Sequence, residues 1–250
     1  MKEPFFIGWA PIPGPLRGFL AAAAVALVAL FALLGYLMAA TQPDPGDGAF
    51  RWDWGRQEVV GVLTAAPYPV LHVTESDRFA PGTSLLLTGG GKRGAQGRAD
   101  PLDGQLVRVA GVPLARGDLM GIQLQGGSNG LRAAEGAGGE VPGETPLGRW
   151  RLTGEICDGK CYIGAMRPGT GLAHRACANL CLQGGIPPVL VATDEVDGHR
   201  FFLLADAEGA PVTEAILDHV GFLIEAEGEV VRIGTLPVFR LDPATLRAAR

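Results

Sequence analysis

All four cysteines of this 250-residue chain lie between positions 157 and 181, with one of its four histidines among them. The order is Cys157-x3-Cys161, then His174-x2-Cys177-x3-Cys181. Thiolate sulfur and neutral imidazole are the donors that soft and borderline metals select. Cys161, His174, Cys177 and Cys181 therefore form a metal-ligand set suited to zinc, copper or an iron–sulfur cluster, with Cys157 as a further donor. The same thiols have two other chemistries. In an oxidising compartment cysteines usually pair, and four of them allow three disulfide connectivities, which would staple a segment with little core of its own. Cys157 and Cys161 would also serve a thiol–disulfide or metal-delivery factor. A disulfide needs no imidazole, so His174 favours a site. Met166 reads as an axial ligand or as packing. Arg167 and Arg175 read as solvated loop charges or as cations that raise thiolate character.

These donors need a scaffold. Residues Leu172 to Gln183 read as a short helix, opened after Gly169-Thr170-Gly171 and stopped by Gly184-Gly185 with Pro187-Pro188 beyond. At ~100° per residue His174, Cys177 and Cys181 fall within about 60° on one face, with Cys161 approaching from the preceding loop. Around this helix the sequence is a series of short apolar runs between turns. Val59–Leu63, Val70–Val73, Leu85–Thr88, Gln105–Val109 and Gly121–Leu124 read as strands. A second series follows at Trp150–Ile156, Val189–Ala192, Phe201–Ala205, Phe222–Glu227, Glu229–Ile233 and Pro237–Leu241. The two series superimpose without a gap at an offset of 117. Leu86-Leu87 falls on Leu203-Leu204, and Gly104, Gly111 and Gly117 fall on Gly221, Gly228 and Gly234, which predicts matching turns. With the amphipathic stretch Thr213 to His219 between strands three and four, the layout is that of an OB-fold. The expected fold is mainly β: a single transmembrane helix, then two OB-like small barrels, the second bearing a Cys/His helical insertion.

The run from Gly18 to Ala40 has no charge and no proline, long enough to cross a hydrocarbon core of roughly 30 Å. Lys2 and Arg17 precede it, while Asp44 and Asp47 follow, so the positive-inside rule places the N-terminus in the cytoplasm. The run is too long for a signal-peptide apolar region, and Met38-Ala39-Ala40 is a weak cleavage site. The expected organisation is an interfacial N-terminus (1–17, with Phe5, Phe6 and Trp9), a transmembrane helix (18–40), a linker (41–50), a first barrel (51–134), a linker (135–148) and a second barrel (149–250). A net charge of −5 and a pI of 5.4 exclude a basic nucleic-acid surface. The Gly/Ala/Arg-rich, single-anchor style points to a bacterial inner membrane with the bulk of the chain in the periplasm.

The run Cys161-Tyr162-x-Gly164, His174-x-x-Cys177-Ala178-x-x-Cys181 and Gly185-Ile186-Pro187 resembles the signature of a group of bacterial membrane-anchored or exported proteins: C-[YF]-x-G, H-x-x-C-A-x-x-C and G-[ILV]-P. Phe5-Phe6-Ile7-Gly8-Trp9 ahead of a single anchor is similar to that group too. The position of Cys157 is apolar in the pattern, so the resemblance implies Cys161, His174, Cys177 and Cys181 as the essential set. It also implies companionship with respiratory or molybdenum-dependent oxidoreductases, and it transfers no activity.

No C-x-x-C-H or H-E-x-x-H occurs. Thr88-Gly89-Gly90-Gly91-Lys92-Arg93 lacks the spacing of a phosphate loop and reads as a hairpin turn. Gly169-x-Gly171 is followed by His174 where a dinucleotide fingerprint has glycine. His72, His199 and His219 read as surface or strand-end residues. A hydrolase is not expected, nor an enzyme acting on its own. The expected role is an accessory subunit of a membrane electron-transfer complex, partnered by the membrane and by other redox subunits. The alternative is a non-catalytic scaffold stapled by two disulfides.

Overall fold

The structure is a computed structural model that describes residues 12–41, 48–136 and 139–249. Phe5, Phe6, Trp9 and most of the linker at 41–50 lie outside the described residues. The chain divides into two units, Met1–Asp44 and Pro45–Arg250.

In the first unit, helix α1 runs from Gly14 to Thr41, beginning before the apolar run itself. None of its residues is buried within the protein, and it is long and apolar enough to span a membrane.

The second unit is built mainly of strands, which close into two five-stranded barrels. Chain order in the first is β1 (Ala49–Phe50), β2 (Gln57–Thr64), β3 (Val70–Glu75), β4 (Ser84–Thr88), α2 (Gln96–Ala99), β5 (Leu106–Arg116), β6 (Leu119–Leu124) and β7 (Leu131–Ala133). The second contains β8 (Glu144–Asp158), α3 (Leu172–Gln183), β9 (Pro188–Val196), β10 (His199–Ala205), α4 (Thr213–Ile216), β11 (Leu223–Ile233), β12 (Leu236–Leu241) and β13 (Arg247–Ala248). The first barrel closes in the order β5-β2-β3-β4-β6 and back to β5, with β1 and β7 added on β5. The second closes in the order β11-β8-β9-β10-β12 and back to β11. Each closure uses one parallel pair, β4 with β6 and β10 with β12.

The registers of the closing strands coincide at the offset of 117. Leu86 pairs with Gly121 and Leu203 with Val238. Gly111 pairs with Leu124 and Gly228 with Leu241. The hairpin glycines Gly117 and Gly234 have φ of 56° and 60°, the left-handed conformation that favours glycine. Gly111 and Gly228 correct the sequence reading, because they lie within strands and mark no turn. A Cβ at either would stand 2.2 Å from a neighbouring carbonyl oxygen, that of Gln123 or Arg240. They are glycines because the closing strand crosses too near for a side chain. Hence β11 is one strand from Leu223 to Ile233, not two strands meeting at Gly228. Similarly, β8 begins at Glu144, inside the stretch read as a linker.

Each barrel has its own core, around Leu63, Leu87 and Ile122 in the first and Ile156, Phe202 and Phe239 in the second. A third apolar cluster joins them, with Tyr68, Leu86 and Leu114 packed against Tyr162, Phe201, Leu203 and Val238. Ser84 and Thr235 tie the two barrels further, through Ser84 N–H donating to Thr235 Oγ1 at 2.9 Å. One connection differs sharply between the barrels. Residues 65–69 suffice between β2 and β3, whereas residues 159–187, including α3, lie between β8 and β9.

Candidate metal and thiol site

The long connection carries the site. After β8 the chain makes a π-helical turn, Cys161–Ala165, whose Tyr162 and Ile163 are each 1% exposed in the inter-barrel core. The Tyr162 ring lies 5.5 Å from Phe201, with the Arg116 guanidinium 4.4 Å over its face. Burying two such side chains contributes about 1.5–3 kcal/mol each, which anchors the neighbouring Cys161 against the first barrel. Helix α3 then packs Ala178 and Leu182 into the second core and turns Cys181 inward. It ends at Gly184, where Gly184 N–H donates to Leu180 O and Ile186 N–H to Cys181 O.

Three thiols converge. The Sγ atoms of Cys161, Cys177 and Cys181 all lie within 4.8 Å of one another, with Cys161 and Cys181 at 3.8 Å. Cys161 and Cys181 are buried and Cys177 is half-buried, so the trio opens to solvent on the Cys177 side. His174 belongs to a second triad with Asp158 and Cys161. Its Nε2 lies 3.0 Å from Asp158 Oδ2, while Asp158 Oδ1 accepts the Cys161 N–H at 2.8 Å. Asp158 has no solvent exposure, and His174 has 4%. The stripe on α3 is thus split along the axis. His174 sits about one turn from Cys177, at ~1.5 Å rise per residue, and faces the end of β8. Helical angle alone did not reveal this.

Cys157 stands apart. It is 1% exposed in the inter-barrel core, with its Sγ against the Glu155 carboxylate at 3.6 Å. Burial, with the Glu155 charge adding to it, pushes its thiol well above the ordinary value. Met166 is 43% exposed, Arg167 donates to Gly48 O at 3.2 Å, and Arg175 donates to Asp218 O at 3.0 Å.

Two lysines that sequence reasoning passed over complete the surroundings. The loop Gly89–Gly94, read as a hairpin turn, is one: Gly89 N–H donates to Arg93 O. It also docks on the C-terminus of α3, with Gly94 N–H donating to Gly184 O at 2.7 Å. From it Lys92 Nζ reaches Cys177 Sγ at 2.6 Å, Cys177 O at 3.3 Å and Cys181 Sγ at 3.7 Å. A cation there also faces the negative end of the helix dipole. From the opposite side the buried Lys160 donates to Gly89 O and Gly91 O, both at 2.7 Å. The hydrogen bond from Cys161 holds the Cys181 thiol below its ordinary value, with the Lys92 ammonium working in the same direction. That bond to Cys181, with burial and the Asp158 charge, drives Cys161 far upward. The hydrogen bond to Cys177 raises Lys92, and burial lowers Lys160. The one available signal was the glycines Gly94 and Gly184, where a Cβ would stand 1.9 Å from Gly185 O and from Lys92 O respectively.

Elsewhere, His72 is buried rather than at the surface, as its place in β3 against β4 and the second barrel requires. Its Nδ1 lies 3.1 Å from Ser84 Oγ, its Nε2 lies 3.2 Å from Thr64 Oγ1, and burial lowers its pKa to about 4. His199 pairs with Asp118 across the barrels at 2.5 Å, and His219 is half-buried.

Comparison with family models, with curated proteins and with solved structures gives no match to this chain.

Proposed function

We propose that this protein is a membrane-anchored accessory subunit of an electron-transfer complex, holding a thiophilic metal ion or cluster through Cys161, Cys177 and Cys181. The observation that carries this reading is the convergence of three sulfurs within 4.8 Å of one another, a spacing at which one ion touches all three. Charge supports it. Three thiolates and a divalent ion leave one negative charge, which the Lys92 ammonium beside Cys177 and Cys181 offsets. A divalent ion with three protein sulfurs also keeps a fourth position for a water, for Asp158 or for a partner's donor. His174 holds Asp158, and Asp158 holds the Cys161 backbone, so the two together fix the position of a sulfur donor.

The signature resemblance supports the redox partnership, and the apolar helix α1 supports anchoring. In this reading α1 spans a bacterial inner membrane with the N-terminus in the cytoplasm, and the barrels stand in the periplasm. Five closed strands with a short helix between the third and fourth support OB-like barrels, in which residues 159–187 are an insertion given to the second copy alone. Three thiols kept together in an oxidising compartment are best preserved by a metal that occupies them. A scaffold stapled by two disulfides would need Cys157 as a partner, and Cys157 rests in the core against Glu155.

The test uses the full-length chain in detergent. Metal per chain after reconstitution with Zn(II) or Co(II) should be one, with sulfur-to-cobalt charge-transfer absorption. Cys161→Ser, Cys177→Ser and Cys181→Ser should each lose it, and Cys157→Ser should keep it. A wild-type chain that binds neither ion and reconstitutes no cluster overturns the reading. So does a denatured mass four hydrogens light, which means two disulfides.

A further inference from the structure

The approach of Lys92 to Cys177 is closer than charge balance requires. The 2.6 Å between Nζ and Sγ is below the about 2.7–3.2 Å of an ordinary N–H···O bond, although sulfur is the larger atom. The amine is also fixed in place. Lys160 clamps the loop at Gly89 O and Gly91 O, and the Gly94 N–H pins its far end to Gly184 O. A Cβ at Gly184 would stand 1.9 Å from Lys92 O, so the loop backbone lies flush on the end of α3. An amine and a thiol held at contact distance need little further ordering to react. Both stand on the solvent side of the trio, Lys92 exposed and Cys177 half-buried, where a small oxidant enters freely.

We propose that Lys92 and Cys177 are a modification site, at which molecular oxygen joins them through a covalent N–O–S bridge. One S–H, one N–H and the O–O bond break, and an S–O and an N–O bond form. Sulfur and nitrogen each give up two electrons. One oxygen atom stays in the bridge and the other leaves as water with the two hydrogens. Four electrons and four protons, from two equivalents of a dithiol, return the lysine, the thiol and a second water. The bridge links the first barrel's loop to the second barrel's helix and withdraws Cys177 from the thiol trio. Air would thus close a site that reducing conditions open. Cys181 Sγ, 3.7 Å from the same Nζ, is the competing thiol, and its product with Cys177 would be a disulfide. The bridge needs only the amine, the thiol and oxygen, so it stands or falls apart from the metal reading.

The experiment is the intact mass of denatured full-length protein, purified in detergent without reductant, with and without a chelator, in air and anaerobically. The air sample should be about 14 Da heavier than the sequence, one oxygen gained and two hydrogens lost, and dithiol should remove the increment. Peptide sequencing should find the Lys92 peptide joined to the Cys177 peptide. Lys92→Arg and Cys177→Ser should each lower the bridged fraction at least tenfold, and Cys157→Ser should leave it unchanged. An unmodified mass in air, a loss of two hydrogens, or oxygen carried on Cys177 without a link to Lys92 overturns the proposal. The wild-type peptide identification decides the matter even where a variant fails to fold. Metal binding is read separately, from native mass, so failure of one proposal is not failure of the other.

Discussion

Replacing His174 with Ala separates a ligand from a residue that positions one. The imidazole lies 3.0 Å from Asp158 Oδ2, and Asp158 has no solvent exposure. Removing it leaves one carboxylate oxygen buried with its partner gone, while the other still accepts the Cys161 N–H. A buried hydrogen bond to a charged group contributes about 1.5–3 kcal/mol, and the space left by the ring adds to the loss, so the expected cost is roughly 2–4 kcal/mol. For a unit of this size 1 kcal/mol is about 2–4 °C, giving a fall in Tm of roughly 4–16 °C. The assay is thermal unfolding of the full-length protein in detergent, followed by near-ultraviolet circular dichroism, beside metal content at a temperature where the variant is folded. Destabilisation should come with one metal per chain, bound more weakly. His174→Gln, whose amide can still donate to Asp158, should recover most of the stability. A variant with wild-type Tm and no metal would refute the reasoning, because His174 would then be a direct ligand that Asp158 does not need.

Two further outcomes follow from other parts of the second unit. His72 has a folded pKa near 4 against an unfolded value near 6.5, so the unfolded chain binds the extra proton between these values. Stability should therefore be full above about pH 6.5 and fall by roughly 3 kcal/mol as pH drops towards 4. Urea midpoints at pH 7 and 4.5 measure this, and a His72→Gln chain with an unchanged pH slope would rule it out. Gly111→Ala and Gly228→Ala each place a Cβ 2.2 Å from a carbonyl oxygen of the closing strand. Both should lower the unfolding midpoint comparably, by about 1–3 kcal/mol; a neutral effect at either position in denaturant titration would contradict the shared closure.

How much of this was legible beforehand varies with how local the cause is. Helix α3 has the same bounds in sequence and structure, because its stop is local: Gly184-Gly185 and two prolines end it wherever the helix sits. The repeat was legible because hairpin glycines such as Gly117 and Gly234 answer to backbone conformation alone. Gly111 and Gly228 look identical to these in sequence, yet their cause is a strand distant in the chain. No local rule could separate a close approach from a turn. The same limit hid the continuity of β11 through Gly228 and the early start of β8.

The sequence by itself determined that Cys177 and Cys181 share one helical face, with Cys161 tethered nearby. It determined also that α1 is apolar throughout and that two β series share one pattern. Only the tertiary structure decided the rest of the site. It placed His174 with Asp158 and Cys161, outside the group of three sulfurs, and it buried Cys157 in the inter-barrel core. It brought Lys92 across from the other barrel, 85 positions from Cys177 in sequence. The physical reason is that sequence spacing fixes angles along one element, whereas charge balance and burial are properties of everything packed around it. A glycine loop looks the same in solution as against a helix end. Whether its lysine meets water or a thiol is settled when the two barrels close on a common core.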